Sequence, residues 1–473
     1  MRTSAQRIIC GLGFAVFSLA AMATNGDLDP TFGVGGFRLA GIPDATVNAP
    51  TTFAIQADGK ILVCGGQGRS PDSPTGEDFV IARFTANGAL DTSFSFDGRV
   101  TIDFGGNDLC HAVAVQADGK IVVAGTTTPI SGDLDNSDFA VARLQSDGTL
   151  DTTFGPGTGK VVVGFDLGGS GHSGDSANSM VLRPDGKIVV AGSAETASNG
   201  TDFAVLQLDT DGTRDPGFNF TGRVSVGFDF AASTSKNDIA TNVAIDAQGR
   251  IVVGGAADRG PAAGADFAVI RLLANGQLDA NFDADGRATL GFNLGGAGGS
   301  NDDLAYSMTL QRDGKIVLLG LADSSTTSTR NYDMAIARLL PDGSPDAGFG
   351  IGGKSLVVFD VQPSGADVAL GCVEQSNGKL VFAGLAADAA SVQAFAAVVR
   401  LNPDGTPDSS FGSAGKKTYD LMLTSPSVQP FFAVGLQGNR LVFAGEAGVD
   451  SLGHYDIFVA RVLDDLIFAN GFE

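Results

Sequence analysis

AVAVQADGKIVVAGTTTPISGDLDNSDFAVARLQSDGTLDTTF, residues 112–154, holds two apolar runs joined by Asp118-Gly119-Lys120, a third apolar run, and an Asp151-x-x-Phe154 element. Asp-Gly between apolar runs marks a tight hairpin, because the turn needs positive φ and glycine adopts it without a Cβ clash. The same turn recurs with its basic residue at Lys60, Lys120, Lys187, Arg250, Lys315, Lys379 and Arg440, at intervals of 60 to 67 residues. Internal repetition on this scale decides the architecture before any single residue does.

A third run follows each hairpin, as in DFVIARF (78–84), DFAVARL (138–144) and DFAVIRL (266–272). Its basic residue is Arg83, Arg143, Arg271, Arg338, Arg400 or Arg461, with Gln207 in the third copy. Eight residues later an Asp opens the D-x-x-F element, at Asp91, Asp151, Asp215, Asp279, Asp346 and Asp408. A short fourth run, such as GRVTIDF (98–104), completes the unit. Each unit thus has four strands: A before the hairpin turn, B after it, C, and D. Strands A to C are apolar at nearly every position, which predicts burial on both faces. Sheets stacked radially against one another meet that demand. The expected fold is all-β, a seven-bladed β-propeller of four-stranded blades.

The chain ends predict how the ring closes. After Arg461 the D-x-x-F Asp would fall at position 469, which is Ala. The missing piece stands at the other end, where NGDLD (25–29) matches NGALD (87–91) and Phe32 and GFRLA (36–40) continue the D pattern. A strand at about 36–40 should therefore pair with strand C at 456–462 and complete blade seven. Closure removes the free sheet edges that invite aggregation.

Ahead of this lies Arg2 and Arg7, an apolar run from Ile8 to Ala20, and Ala21-Met22-Ala23, which together read as a secretory signal peptide at 1–23. The expectation is a propeller over 24–463, a short tail at 464–473, and a chain exported to the envelope or medium as a monomer without a transmembrane segment. Removing two Arg from 30 basic and 53 acidic residues leaves 28 − 53 = −25. Such a charge excludes nucleic acid as a partner and favours cations or basic surfaces. The absence of Trp and the presence of only four Tyr weigh against stacking on sugars. Three cysteines remain after cleavage, Cys64, Cys110 and Cys372. An odd number reads first as small buried residues, with a Cys64–Cys110 bridge between neighbouring blades as the alternative.

The D-G-K-I-V-V-A-G core, the D-F-A-V-A-R-L run and the L-D-x-x-F-G element resemble the delta-60 repeat family, over about Asn25 to Val462. The pattern departs at Gln207, at Ala394 and in the last copy's missing L-D-x-x-F. The resemblance implies an exported bacterial repeat protein of propeller type, and it brings no catalytic residues.

In a propeller the A–B and C–D turns share one face, and the B–C and D–A loops the other. Here the turns are nearly constant and the loops vary, so the loop face is the expected site for a protein or surface-polymer partner. Asp108, Asp175, Asp238, Asp303 and Asp367 each stand twelve residues before a hairpin basic residue. They are placed as an acidic ring at the mouth of the axial channel, a candidate site for Ca²⁺ or another hard cation. The plainer account is that each Asp caps its own turn. Asp209, Asp211 and Asp215 imitate part of a calcium loop but recur as ordinary C–D turns. Arg83 points where apolar residues point and needs an acid, with Asp91 in reach. Zinc spacing among His111, His172 and His454 is absent, and GHSGDS (171–176) lacks the strand-to-helix elbow of a hydrolase. The reading is an exported binding or scaffold propeller; the rival is a propeller hydrolase or lyase using channel-mouth carboxylates and a metal.

Overall fold

The computed structural model describes residues 25–41, 47–67, 76–129, 136–168, 174–197, 200–233, 236–261, 263–294, 301–325, 331–359, 365–387, 394–421, 430–448 and 455–464. The expected signal peptide, His172, His454 and 465–473 lie outside them. The described strands form seven four-stranded antiparallel sheets in sequence order around a ring. Blade one comprises Val47–Ile55, Ile61–Gln67, Asp78–Phe84 and Arg99–Ile102 as strands A to D. Blade seven is the exception the termini demand. Its strands are Phe431–Gln437, Arg440–Gly448 and Tyr455–Val462, and the outer place is filled by Phe37–Leu39, with Phe37 opposite Ala460 and Leu39 opposite Phe458.

Seven apolar clusters fill the structure, one at each junction between neighbouring sheets. The junction of blades seven and one, where Val442, Val459 and Phe32 meet Ile61, Val63 and Val80, is packed like the rest. The ring is therefore closed by apolar burial as well as by strand pairing. Strands B and C are buried throughout, as their patterns predict, for example Ile121–Ala124 and Phe139–Ala142. Strand A departs from expectation. Asp175–Leu182 alternates buried and half-buried residues and then stays half-buried, because the innermost strand borders an axial cavity instead of a second sheet.

Every strand A also breaks register against strand B once, between Asn48 and Thr52, Cys110 and Ala112, Ala177 and Ser179, Ala240 and Asn242, Ala305 and Ser307, Ala369 and Gly371, and Phe431 and Ala433. Such a bulge re-aims side chains by one position, so the parts of strand A before and after it face differently.

The cysteine expectation needs correction. Cys64 of strand B in blade one and Cys110 of strand A in blade two form a disulfide, and Cys372 alone is a free thiol among the described residues. The bridge between neighbouring blades, the alternative reading, is the one formed, and the odd count arises because the third cysteine belongs to a distant blade.

Candidate functional site

The turn face is built from a repeated ion triad. In blade one, Asp91 Oδ2 accepts from Arg83 Nε at 2.7 Å and lies 3.2 Å from Lys60 Nζ of the hairpin. In blade two, Asp151 meets Arg143 at 2.7 Å and Lys120 at 3.0 Å, and Asp408 meets Arg400 at 2.6 Å and Lys379 at 2.7 Å in blade six. In blade three Gln207 takes the arginine's place and donates to Asp215 at 2.6 Å. Each guanidinium also covers its own D-x-x-F ring, as Arg83 does at 4.5 Å from the Phe94 centroid. Five of the six reach a carbonyl of the next blade, as Arg143 Nη1 does at Thr210 O, 2.5 Å, and Arg400 reaches the Asp464 carboxylate instead. Burial alone would raise the Asp91 carboxyl, but the Ser93 hydrogen bonds and the Lys60 and Arg83 charges hold it down at about 2. These charges are spent on joining turn, strand and neighbour. The Asp209–Asp211–Asp215 set belongs here: Asp211 caps its own turn through Thr213, and Asp209 and Asp215 share Lys187.

The axial cavity, about 610 Å³, is lined by strand A residues of all seven blades. Six of its lining residues are the bulge residues His111, Asn178, Thr241, Tyr306, Leu370 and Phe432. Three of them zip neighbouring strands together: His111 Nδ1 lies 2.7 Å from Ala177 O, Asn178 donates to Ala240 O at 2.8 Å, and Thr241 to Ala305 O at 3.0 Å. Beyond Thr241 the arc changes to Tyr306, Leu370 and Phe432, and the wall turns apolar. No carboxylate lines the cavity among the described residues. Burial lowers the affinity of His111 for a proton and pushes the Cys372 thiol well up, so neither is charged near neutrality.

Asp108, Asp175, Asp238, Asp303 and Asp367 do not border this cavity. Each stands three residues before the bulge residue, on the part of the strand that faces the blade junction, and each is buried. Each accepts the backbone N–H of the residue that leaves strand D of the preceding blade: Phe104 to Asp108 at 2.6 Å, Phe165 to Asp175 at 2.5 Å, Phe228 to Asp238 at 2.7 Å, Phe359 to Asp367 at 2.7 Å, and Phe292 to Asp303 at 2.5 Å. The ring at the channel mouth thus resolves into separate inter-blade caps. That phenylalanine packs against the second residue of strand C, as Phe104 does on Phe79 at 5.0 Å.

Sequence reasoning missed what stands beside these caps. The first residue of strand C and the end of strand D bring further acids to the same spot. At the junction of blades one and two, one oxygen each from Asp78, Asp103 and Asp108 lies within 4.8 Å of the others, a set that could coordinate a metal ion. Burial, then the charges of Asp103 and Asp108, raise Asp78 to about 6. At the next junction burial, then Asp138 and Asp166, raise Asp175 to about 7. The first residue of strand D in the following blade supplies a balancing cation. Lys160 donates to Asp103 O and lies over Phe104, Arg223 reaches Gly164 O, and Lys416 donates to Val358 O at 2.6 Å. The fixed place of Lys or Arg at the start of strand D was the available signal.

Residues 56–94, 116–154, 183–218, 248–282, 311–349 and 375–411 match the domain of unknown function DUF5122, described as a beta-propeller. The chain is a seven-bladed β-propeller, six segments of which are similar to DUF5122. Each DUF5122 match runs from the A–B turn to the D-x-x-F phenylalanine, so the inter-blade aspartates all fall between matches. No curated protein matches the chain. Among solved structures, similar chains include a Trypanosoma rangeli sialidase mutant displaying trans-sialidase activity, with a TM-score of 0.42, 11% identity, and coverage of 82% of this chain and 57% of the sialidase. The chain therefore spans little more than half that relative's length. The β-propeller domain of the trilobed protease from Pyrococcus furiosus gives 0.42, 10% identity, and 88% and 93% coverage. PorZ of Porphyromonas gingivalis, a surface component of the type-IX secretion system, gives 0.35, 12% identity, and 86% and 46% coverage.

Proposed function

We propose that this delta-60-type propeller is an exported, non-catalytic binding protein that engages a protein or surface polymer through its B–C and D–A loops. The observation that carries this reading is how the molecule's charge is used. On the turn face, acids and bases are locked into triads that hold the blades. The axial cavity is walled by amide, hydroxyl and apolar groups with the buried His111 and Cys372, and no carboxylate lines it among the described residues to act as the acid or base that hydrolysis needs. What differs from blade to blade is the loop face, on a rigid frame. The chain acts as a monomer, because Phe37–Leu39 covers the edge that strand C of blade seven would otherwise offer to a second copy.

The test is crosslinking of the purified protein to an envelope extract, followed by mapping of the crosslinked residues. Crosslinks concentrated on the B–C and D–A loops support the reading, and crosslinks confined to the A–B and C–D turns refute it. The second reading, a metal-dependent hydrolase, is favoured by the Asp78, Asp103 and Asp108 set. A broad hydrolase screen with and without divalent cation separates the two: activity that disappears in Asp103→Asn supports the enzyme.

A further inference from the structure

The junction between blades one and two is bound more heavily than strand packing requires. The Cys64–Cys110 disulfide crosses it. Two residues before Cys110, the backbone N–H of Asp108 donates to Glu77 O at 2.7 Å, tying strand A of blade two to the start of strand C in blade one. The Asp78, Asp103 and Asp108 side chains gather at this point.

We propose that Asp78, Asp103 and Asp108 form a site for one hard divalent cation, calcium in preference to softer metals, which clamps blade one to blade two. The donor set is oxygen only, which selects calcium, magnesium or manganese over zinc or copper. Oxygens on opposite sides of a calcium ion stand about 4.8 Å apart, twice the usual calcium–oxygen distance, and the three carboxylates meet that limit without rearrangement.

A second observation points to a missing ligand. Asp108 is fully buried, and its Oδ1, like Asp78 Oδ1, has no partner in hydrogen-bond geometry among the described residues. A buried carboxylate oxygen left unpaired is costly, and a bound cation satisfies both. Asp103 is exposed, so an ion can enter and keep water ligands. The nearby ammonium of Lys160 is bonded to the Asp103 carbonyl, so three carboxylates and one ammonium leave −3 + 1 = −2, the charge a divalent ion cancels. At another junction the equivalent Asp266 is paired through Oδ2 with Arg259 at 3.0 Å, while its Oδ1 and that of Asp303 are unpaired among the described residues, as at blades one and two.

The clamp is independent of the partner-binding reading and survives its failure. The test uses the full mature chain, stripped with EDTA and desalted, titrated calorimetrically with calcium chloride and melted with and without about 1 mM calcium, a concentration suited to extracellular sites. The expected result is one calcium per chain and a rise in melting temperature. Asp103→Asn, whose side chain is exposed, keeps the fold and weakens binding at least tenfold. Asp166→Asn, on the same loop one blade on, leaves binding unchanged. Absence of heat and of any melting shift with calcium, magnesium and manganese overturns the proposal. Calcium binding that survives Asp103→Asn, or that falls equally in Asp166→Asn, overturns it too.

Discussion

Asp29 Oδ2 accepts from Arg461 Nε at 2.8 Å across 432 residues of chain, and the Arg461 guanidinium lies 4.7 Å above the Phe32 ring. Arg440 of the last hairpin reaches the same oxygen. The N-terminal D-x-x-F element therefore supplies blade seven with the triad that every other blade makes from contiguous sequence. Asp29→Ala leaves two guanidinium groups facing a buried gap. Loss of one partner of a buried pair costs about 3–5 kcal/mol. Urea unfolding followed by circular dichroism should show that loss, and the Asp29→Ala, Arg461→Met double variant should recover most of it. A change below about 1 kcal/mol, the range of a surface pair, would sink the velcro role of Asp29.

Closure of this kind was legible because it rests on fixed spacing. The eight-residue interval to the Asp survives in six copies, five from Arg and one from Gln207, so the missing Asp after Arg461 and the spare D-x-x-F element at Asp29 were both visible. The pairing of Arg83 with Asp91 was legible too, since an arginine on an apolar face must find an acid. The acidic ring was not. Counting along one strand placed Asp108 and Asp175 with the channel residues, but the bulge before Ala112 and Ser179 turns that part of the strand toward the blade junction. Extra residues occur in every copy, two in blade one and one in each of the others, and leave no mark in the repeat spacing. Asp103 and Asp78 were missed for another reason. They meet Asp108 from two other strands, 5 and 30 residues away, and the contact exists only once blades stand side by side. The same is true of Asp464, counted with the tail but bonded to Arg400 Nη1 at 2.7 Å, whereas the Cys64–Cys110 bridge was visible as an alternative that the odd cysteine count disfavoured.

The disulfide closes a loop with a sequence separation of 46 residues. Cross-linking a loop of this length removes unfolded-state entropy equivalent to about 4 kcal/mol in the chain-entropy model. Cys64→Ala, Cys110→Ala should melt well below the parent protein, and dithiothreitol should lower the parent to the same temperature. Equal melting with and without reductant would show that blades one and two do not depend on the bond.

The inter-blade acids set a pH dependence opposite in sign to that of the triads. Asp175 and Asp303 are raised to about 7 and Asp238 to about 6, in each case by burial first and neighbouring acids later. Between the ordinary carboxyl value of 3.8 and these raised values, the folded state holds more protons than the unfolded one. Stability therefore falls as pH rises through that window. Asp91 and Asp408, held at about 2, work the other way: burial opposes ionisation, but the Ser93 and Ser410 hydrogen bonds and the basic partners win. Their contribution is complete above 3.8 and disappears as pH falls toward 2. In EDTA the melting temperature should peak near pH 4 and decline on both sides, on the alkaline side until about pH 7. A curve that rises steadily from pH 5 to 8 would contradict the burial of the inter-blade carboxyls.

Gln207 marks the one blade whose triad lacks its guanidinium. Its Nε2 bonds Asp215 at 2.6 Å, but its Oε1 is buried with no partner in the described structure, and no cation lies over Phe218 as Arg143 lies over Phe154. In the neighbouring copies the guanidinium ends on the carbonyl three residues past the equivalent position of the next blade, Thr210 O past Gln207 for Arg143 and Pro341 O past Arg338 for Arg271. The equivalent acceptor for position 207 is Ala274. Gln207→Arg should restore the Asp215 pair, the Phe218 contact and the bond to Ala274, and remove the unpaired Oε1. Each charged hydrogen bond contributes about 1.5–3 kcal/mol and the added burial of charge takes part of it back, so a net gain of about 1 kcal/mol is expected in urea unfolding. A loss of stability would mean that Lys187, already 2.7 Å from Asp215, occupies the charge that the other blades share between two cations.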